Sequence, residues 1–203
     1  MIVLSFVTPQ PFLYAHYVTQ NGVPYLKTWE YLSKDGRPIK VRPAQRGDAQ
    51  YLHEGFKEVV DEGRWLPTFS VNANITDWVH WIEKTNHSRE ILLIAFLDDD
   101  YAGHLTLQPE EWNASQHVAK LGIIVRKPCR YLGVGRSLML ASEEIGLEKD
   151  YTKIILSTFE DNTIAIDLYK QLGYRLVGVR KKHFNMPNGF IDEVLMEKEL
   201  IGQ

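Results

Sequence analysis

The residues with the clearest chemical potential lie in the middle of the chain. Arg130, Gly133 and Gly135 are spaced Arg-x-x-Gly-x-Gly, between an apolar run at 118–125 and a helical pattern that starts at 134. Glycine admits backbone dihedrals that other residues avoid and lets a ligand approach the main chain. The first amides of a helix have no partner inside it, and the helix dipole concentrates positive charge there. A strand, a glycine turn and a helix start together make a place for a phosphate. Two familiar phosphate loops do not fit. A dinucleotide-binding loop needs a third glycine where this chain has Leu138, and a P-loop needs Gly-Lys-Ser/Thr where it has Gly135-Arg136-Ser137. The one cysteine, Cys129, stands beside the loop, and a small residue in a turn is a plainer reading of it than a nucleophile.

The elements that must position this loop are read from periodicity. Residues 118–125 have the composition of a buried strand, and apolar residues at 134, 138, 141 and 145 share one helix face. Upstream, 28–32 predicts a strand. Ile39 and Val41 alternate with Lys40 and Arg42 in a strand closed by Pro43, and Asp48 suits the N-cap of a helix through Leu52, Phe56, Val59 and Val60. Residues 76–82 predict a second helix with Trp78 and Ile82 on one face. Residues 90–97 and 101–107 predict a hairpin around Asp98-Asp99-Asp100, a solvated acidic turn without partners at metal-ligand spacing. Downstream, 153–159 predicts a strand reached from 118–125 by a β-α-β crossover. Ile164, Leu168 and Leu172 share a helix face that Gly173 ends, and 176–180 and 190–196 predict a last pair of strands turning at 186–189.

The central loop, taken with Asn162-x-x-Ala165-x-x-x-Tyr169-x-x-x-Gly173-Tyr174, resembles the GNAT family of N-acetyltransferases. That family's pyrophosphate loop reads Arg/Gln-x-x-Gly-x-Gly/Ala, and its later helix reads Asn-x-x-Ala-x-x-x-Tyr-x-x-x-Gly-Phe/Tyr. The resemblance covers roughly 39–199 and implies an α/β (α+β) fold. Its central sheet is mixed, mostly antiparallel, splayed between the strands at 118–125 and 153–159 and flanked by helices. Residues 39–203 would then be the acetyltransferase domain. Residues 1–38, rich in Pro and in aromatics (Phe12, Tyr14, Tyr17, Tyr25, Trp29, Tyr31), carry turn signals at Asn21-Gly22 and Asp35-Gly36. They read as a strand-rich extension packed on that body, or as a surface for a homodimer.

The resemblance implies direct transfer of the acetyl group of acetyl-CoA to a primary amine on a small molecule or a protein, with no metal. The pyrophosphate would lie on the amides of Tyr131, Leu132, Gly133, Val134, Gly135 and Arg136, with Arg130 and Arg136 adding charge. Ile123, Ile124 and Val125 would offer their backbone to the pantetheine arm, and an amide at 124 or 125 would face the thioester oxygen. Tyr169 matches the family's general acid for the leaving thiolate, and Asn162 the residue that contacts the arm or the sulfur. The acceptor's proton would leave to a carboxylate through water, for which the family has no fixed position. Glu110, Glu111, His117 and Glu160 are the candidates. Asp61, Glu62 and Trp65, between the first two helices, would hold a cationic amine by charge and cation–π contact. Arg180-Lys181-Lys182 reads as a solvated strand end more readily than as a phosphate contact. The alternative is a coenzyme-binding sensor without turnover, against which both Asn162 and Tyr169 speak.

Composition bounds the rest. The chain has 203 residues, 44% hydrophobic and 24% charged, enough for one domain with a real core. A net charge of −3 disfavours a general nucleic-acid binder. No apolar run approaches the ~20 residues that span a bilayer. Residues 1–7 are apolar but lack a basic leader and soon meet Pro9, a poor signal peptide. With one cysteine and seven scattered histidines, a reducing, cytoplasmic setting without a metal centre is expected.

Overall fold

A computed structural model describes residues 14–16, 27–86 and 88–200. Its strands are β1 (Tyr14–His16), β2 (Thr28–Leu32), β3 (Pro38–Pro43), β4 (Ile91–Leu97), β5 (Asp100–Pro109), β6 (Val118–Val125), β7 (Lys153–Phe159), β8 (Arg175–Met186) and β9 (Gly189–Glu199). Its helices are α1 (Ala49–Asp61), α2 (Ile75–Asn86), α3 (Val134–Glu148) and α4 (Thr163–Gln171). The strands form one sheet in the order β1-β2-β3-β4-β5-β6-β7-β9-β8. Every neighbouring pair is antiparallel except β6 and β7, which α3 joins as a crossover. The aromatic residues Phe12, Tyr17 and Tyr25, the Asn21-Gly22 turn and the first seven residues lie outside the described residues.

Period-two alternation divides the apolar residues between two layers. Ile39, Val41, Leu93, Ala95, Leu105, Leu107, Ala119 and Leu121 pack with Val134, Leu138 and Ala141 of α3 and with Tyr169 and Leu172 of α4. On the other face, Leu92, Ile94 and Tyr101 pack with Leu52 of α1 and with Trp78 and Ile82 of α2. Trp29 and Tyr31 of β2 belong to the first cluster, and Trp29 Nε1 donates to Glu144 of α3 at 2.8 Å. Residues 28–38 are thus built into the common sheet.

One local expectation is corrected. Asp48 precedes α1 but does not cap it with its side chain. Its carboxylate instead accepts from Arg42 at 2.6 and 2.9 Å and from the Gln45 N–H at 2.7 Å. A two-pronged guanidinium bond is stronger than a neutral cap bond and wins the carboxylate. Ile164 lies on the helix face it shares with Leu168 and Leu172, and it is 53% exposed. The turn of α4 that bears Ile164, Ala165 and Leu168 lines an open cleft, and Tyr169 and Leu172 take the core positions. The end of α4 is as expected: Gly173 has φ +89°, and Tyr174 and Gly173 N–H donate to Tyr169 and Lys170 carbonyls at 3.0 Å each.

Candidate active site

The cleft exists because β6 and β7 part. Their ladder holds only Val118 to Lys153, Ala119 to Ile154 and Lys120 to Ile155. Beyond Lys120 the two strands diverge, while β6 stays paired with β5 as far as Val125 and β7 with β9 as far as Phe159. The gap opens a cavity of about 550 Å³ lined by Leu121–Val125 on one wall and by Ser157–Phe159 and α4 on the other. Backbone groups that a closed parallel pair would consume are left for a ligand.

The glycine loop closes one end. A short turn at 127–129 leads to Arg130, then to Tyr131 at φ +66° and Gly133 at φ +103°, and α3 begins at Val134. A Cβ on Gly135 would stand 3.4 Å from Leu168 Cδ2 and 3.7 Å from Val125 Cγ2, so this residue occupies the narrow space between the end of β6 and α4. Arg130 is committed to the protein. Its Nε donates to the Val125 carbonyl at 2.9 Å, and its two terminal nitrogens grip Glu62, one of them at 2.7 Å. Arg136 is exposed and takes part in none of the ion pairs among the described residues.

Tyr169, Asn162 and residues 123–125 all line the cleft, as do Tyr131, Gly133 and Gly135. Asn162 caps α4, its Oδ1 accepting from Ala165 N–H at 3.4 Å and its Nδ2 donating to Thr158 Oγ1 at 3.2 Å. Tyr169 is 5% exposed, and burial pushes its phenol up to about 12. It therefore holds its proton at neutral pH.

Other sequence candidates are not gathered here. Glu110 and Glu111 lie 3.9 and 3.8 Å from Lys120, and Glu110 N–H binds the Val118 carbonyl at the closed end of β6. His117 borders a separate hollow with Thr152, Lys153 and Glu199. At about 3.3 Å per residue, Val118 is roughly 16 Å from Ile123. The strand that sequence reading placed next to these groups thus carries them away from the cleft. Glu160 follows Phe159 at the cleft border but is exposed, 3.7 Å from Lys181. Arg180 and Lys181 pair across the hairpin with Glu193 at 2.9 Å and Asp192 at 2.6 Å, in keeping with a strand-end role. Cys129 is buried at the cleft margin, and burial pushes its thiol up, so it packs as a small apolar residue.

The acidic residues expected to hold an amine are engaged elsewhere. Asp61 pairs with Lys57, one helical turn away. Glu62 is bound by Arg130, whose hydrogen bonds hold its carboxyl below the usual range, and also accepts from Trp65 Nε1 at 2.8 Å. What the α1–α2 connection presents to the cleft is Trp65, Leu66 and Pro67, and Phe159 and Phe184 line the same cleft. Sequence reading missed Lys34 and Phe184, which reach the cleft only through pairing of distant strands.

Comparison with known proteins agrees with this geometry. The model of the acetyltransferase (GNAT) family matches residues 58–174. The L-amino acid N-acetyltransferase AaaT of Escherichia coli (strain K12) is 33% identical over 109 residues, 52% of this chain. The match spans 66% of that protein, just under two thirds of its length. A GNAT acetyltransferase from Streptococcus pneumoniae superposes with a TM-score of 0.74 at 22% identity, covering 79% of this chain and 98% of its own. The yncA protein of Salmonella typhimurium, solved with its cofactor acetyl-CoA, superposes with a TM-score of 0.76 at 13% identity, covering 81% and 95%. The chain belongs to the GNAT family of acetyltransferases. Among the described residues no helix is long and apolar enough to cross a membrane, and no cluster of His, Cys, Asp and Glu is arranged to hold a metal ion.

Proposed function

We propose that this chain moves the acetyl group of acetyl-CoA to a primary amine by direct attack. The observation that carries the reading is the parting of β6 and β7 beyond Lys120 and Ile155, with Tyr169 and Asn162 on one wall and the glycine loop at its end. Amides of 131–136 bind the diphosphate, with Arg136 adding charge while Arg130 stiffens the loop from below. The exposed edge of Ile123–Val125 pairs with the amides of the pantetheine arm and offers a donor to the thioester oxygen. Asn162 orients the arm, and Tyr169 gives its proton to the departing sulfur. The neutral amine forms its bond to the acetyl carbon as the carbon–sulfur bond breaks. Its proton passes through water towards Glu160, the nominated carboxylate at the cleft border; Glu111 has no part in this step.

The acceptor class follows from the wall of Trp65, Leu66, Pro67, Phe159 and Phe184, with Asp61 and Glu62 already paired. That surface suits an amine with an apolar substituent better than the cationic substrate expected from Asp61 and Glu62. The Escherichia coli relative is named for L-amino acids, and the α-amine of an apolar L-amino acid is the acceptor we favour. Both cleft residues Tyr169 and Asn162 favour turnover over a sensor role. In the same reading 39–203 is the catalytic unit, 1–38 an N-terminal extension of it, and the lone buried thiol of Cys129 fits the cytoplasm. Thiol release from acetyl-CoA, measured across a panel of L-amino acids and polyamines, tests it. Apolar amino acids should give the fastest release. A preference for polyamines would overturn the acceptor assignment, and no release with any amine would favour the sensor.

A further inference from the structure

The turn between β2 and β3 lies outside the stretch matched by the family model, yet it touches the phosphate loop. The turn is tight: Ser33 N–H donates to the Arg37 carbonyl at 2.8 Å, Gly36 N–H to the Ser33 carbonyl at 3.0 Å, and Gly36 takes φ +86°. At its start, Lys34 N–H donates to the Leu132 carbonyl at 2.9 Å. In a trans peptide the C=O and the following N–H point in opposite directions. With the Leu132 carbonyl turned to Lys34, the Gly133 amide faces away from the turn, and Gly133 is a cleft-lining residue. The turn therefore sets the direction of one of the amides on which a phosphate would rest.

The side chain of Lys34 makes a second contribution. It is exposed and lines the same cleft as Tyr131, Gly133 and Arg136. The neighbouring cations are occupied: Arg37 by Asp35 at 2.9 Å and Asp98 at 3.3 Å, Lys40 by Asp99 at 3.3 Å, Arg130 by Glu62. Of the cations that line the cleft, Lys34 and Arg136 are those outside any ion pair among the described residues. We propose that Lys34 is a ligand for a phosphate group of the coenzyme, so that the N-terminal extension completes the donor site. This rests on reading the cleft as an acetyl-CoA site. An ammonium on a flexible stem serves a phosphate as a point charge, and its exposure leaves room for either the diphosphate or the 3′-phosphate to be its partner.

The test compares wild type, Lys34→Gln and Lys34→Arg, by calorimetric titration with CoA and 3′-dephospho-CoA and by kinetics with acetyl-CoA and S-acetylpantetheine, which lacks every phosphate. For Lys34→Gln, Kd for CoA should rise about tenfold and its salt dependence should become shallower, with kcat nearly constant. Lys34→Arg should recover most of the affinity, and S-acetylpantetheine kinetics should not distinguish the variants. A loss that vanishes with 3′-dephospho-CoA assigns the 3′-phosphate; a loss that persists assigns the diphosphate, and either supports the proposal. An unchanged Kd in Lys34→Gln would overturn it, as would an equal loss with S-acetylpantetheine, which would mark a structural role. If wild type itself fails to bind CoA, the reading of the cleft falls first and the proposal with it.

Discussion

The two halves of the β6–β7 pair are built from similar residues and do opposite things. Over 118–120 and 153–155 they form an ordinary parallel ladder; over 121–125 and 156–159 they form none. The closed half is bordered by Lys120, Glu110 and Lys153, side chains in partly solvated ion pairs. The open half is bordered by the glycine loop, Asn162 and Tyr169. What differs is bracing. Each diverging strand keeps its outer partner, Gly103 opposite Val125 on one side and Phe159 opposite Glu193 on the other. Opening therefore sacrifices a single ladder, and the groups it frees are the ones a thioester ligand with amides in its arm would use. In the proposed reading, the half that receives the coenzyme is the unpaired half.

The strongest challenge to that contrast is to fill the open half. Alanine at 135 meets only ordinary contacts, 3.4 and 3.7 Å from Leu168 and Val125, but a longer side chain must enter the gap. Gly135→Leu is expected to weaken acetyl-CoA binding by about 100-fold or more, and Gly135→Ala by no more than a few-fold, in calorimetric titrations.

Chemistry on the open wall is the next target. Tyr169→Phe should lower kcat by about 100-fold with KM within a few-fold, because a proton donor is lost and no binding surface is. The pH profile sharpens this. Burial raises the phenol to about 12, so the reactive protonated form persists to alkaline pH. Wild-type kcat should show no fall from this group through about pH 10, where an ordinary tyrosine is half ionised. A fall centred near 10 would place Tyr169 in solvent.

The bracing is tested at Gly103. A Cβ there would stand 2.4 Å from the Ile124 carbonyl oxygen and 3.1 Å from Val125 Cα, main-chain atoms that cannot swing aside. Gly103→Ala should cost about 2 kcal/mol in denaturant unfolding, and should weaken acetyl-CoA binding by displacing the open half. Substitutions beside the closed half, such as Glu111→Gln, should leave both quantities near wild type.

A smaller effect comes from His104, paired in register with Ile124. It is fully enclosed, with Nδ1 2.7 Å from Tyr101 Oη, and burial drives it down to about 3 from the usual 6.5. The folded protein then keeps His104 neutral while the unfolded chain takes up a proton. The stability it supports is complete above about pH 6.5 and is lost as pH falls towards 3, at up to ~1.4 kcal/mol per pH unit. His104→Gln should flatten the acid limb of a stability–pH curve between 6 and 4.

Much of the scaffold was legible in the residues themselves. The strands at 118–125 and 153–159 and the helix from 134 fall where a period of two and a period of 3.6 put them. Gly173 ends α4 because only a residue tolerant of φ +89° closes that cap without strain. The loop and the Asn162–Tyr169 segment were legible because their chemistry is local. What escaped was the outcome of competition across long stretches of chain. Asp48 looked like a cap until Arg42 claimed it, and Glu62 and Arg130, 68 positions apart, neutralise one another. No periodicity encodes either choice. Glu111 and His117 looked adjacent to the site because they precede β6, but strand direction puts them at its far end. Ile164 obeyed a helical stripe whose target is a cleft, and pattern alone does not separate a cleft from a core.

Amide hydrogen exchange with and without acetyl-CoA addresses the contrast between the two halves most directly. Protection should rise at 123–125 and 131–136, with 118–120 and 153–155 unchanged because their ladder is already formed. Tight binding that leaves 123–125 and 131–136 exchanging as in the free protein would contradict the account.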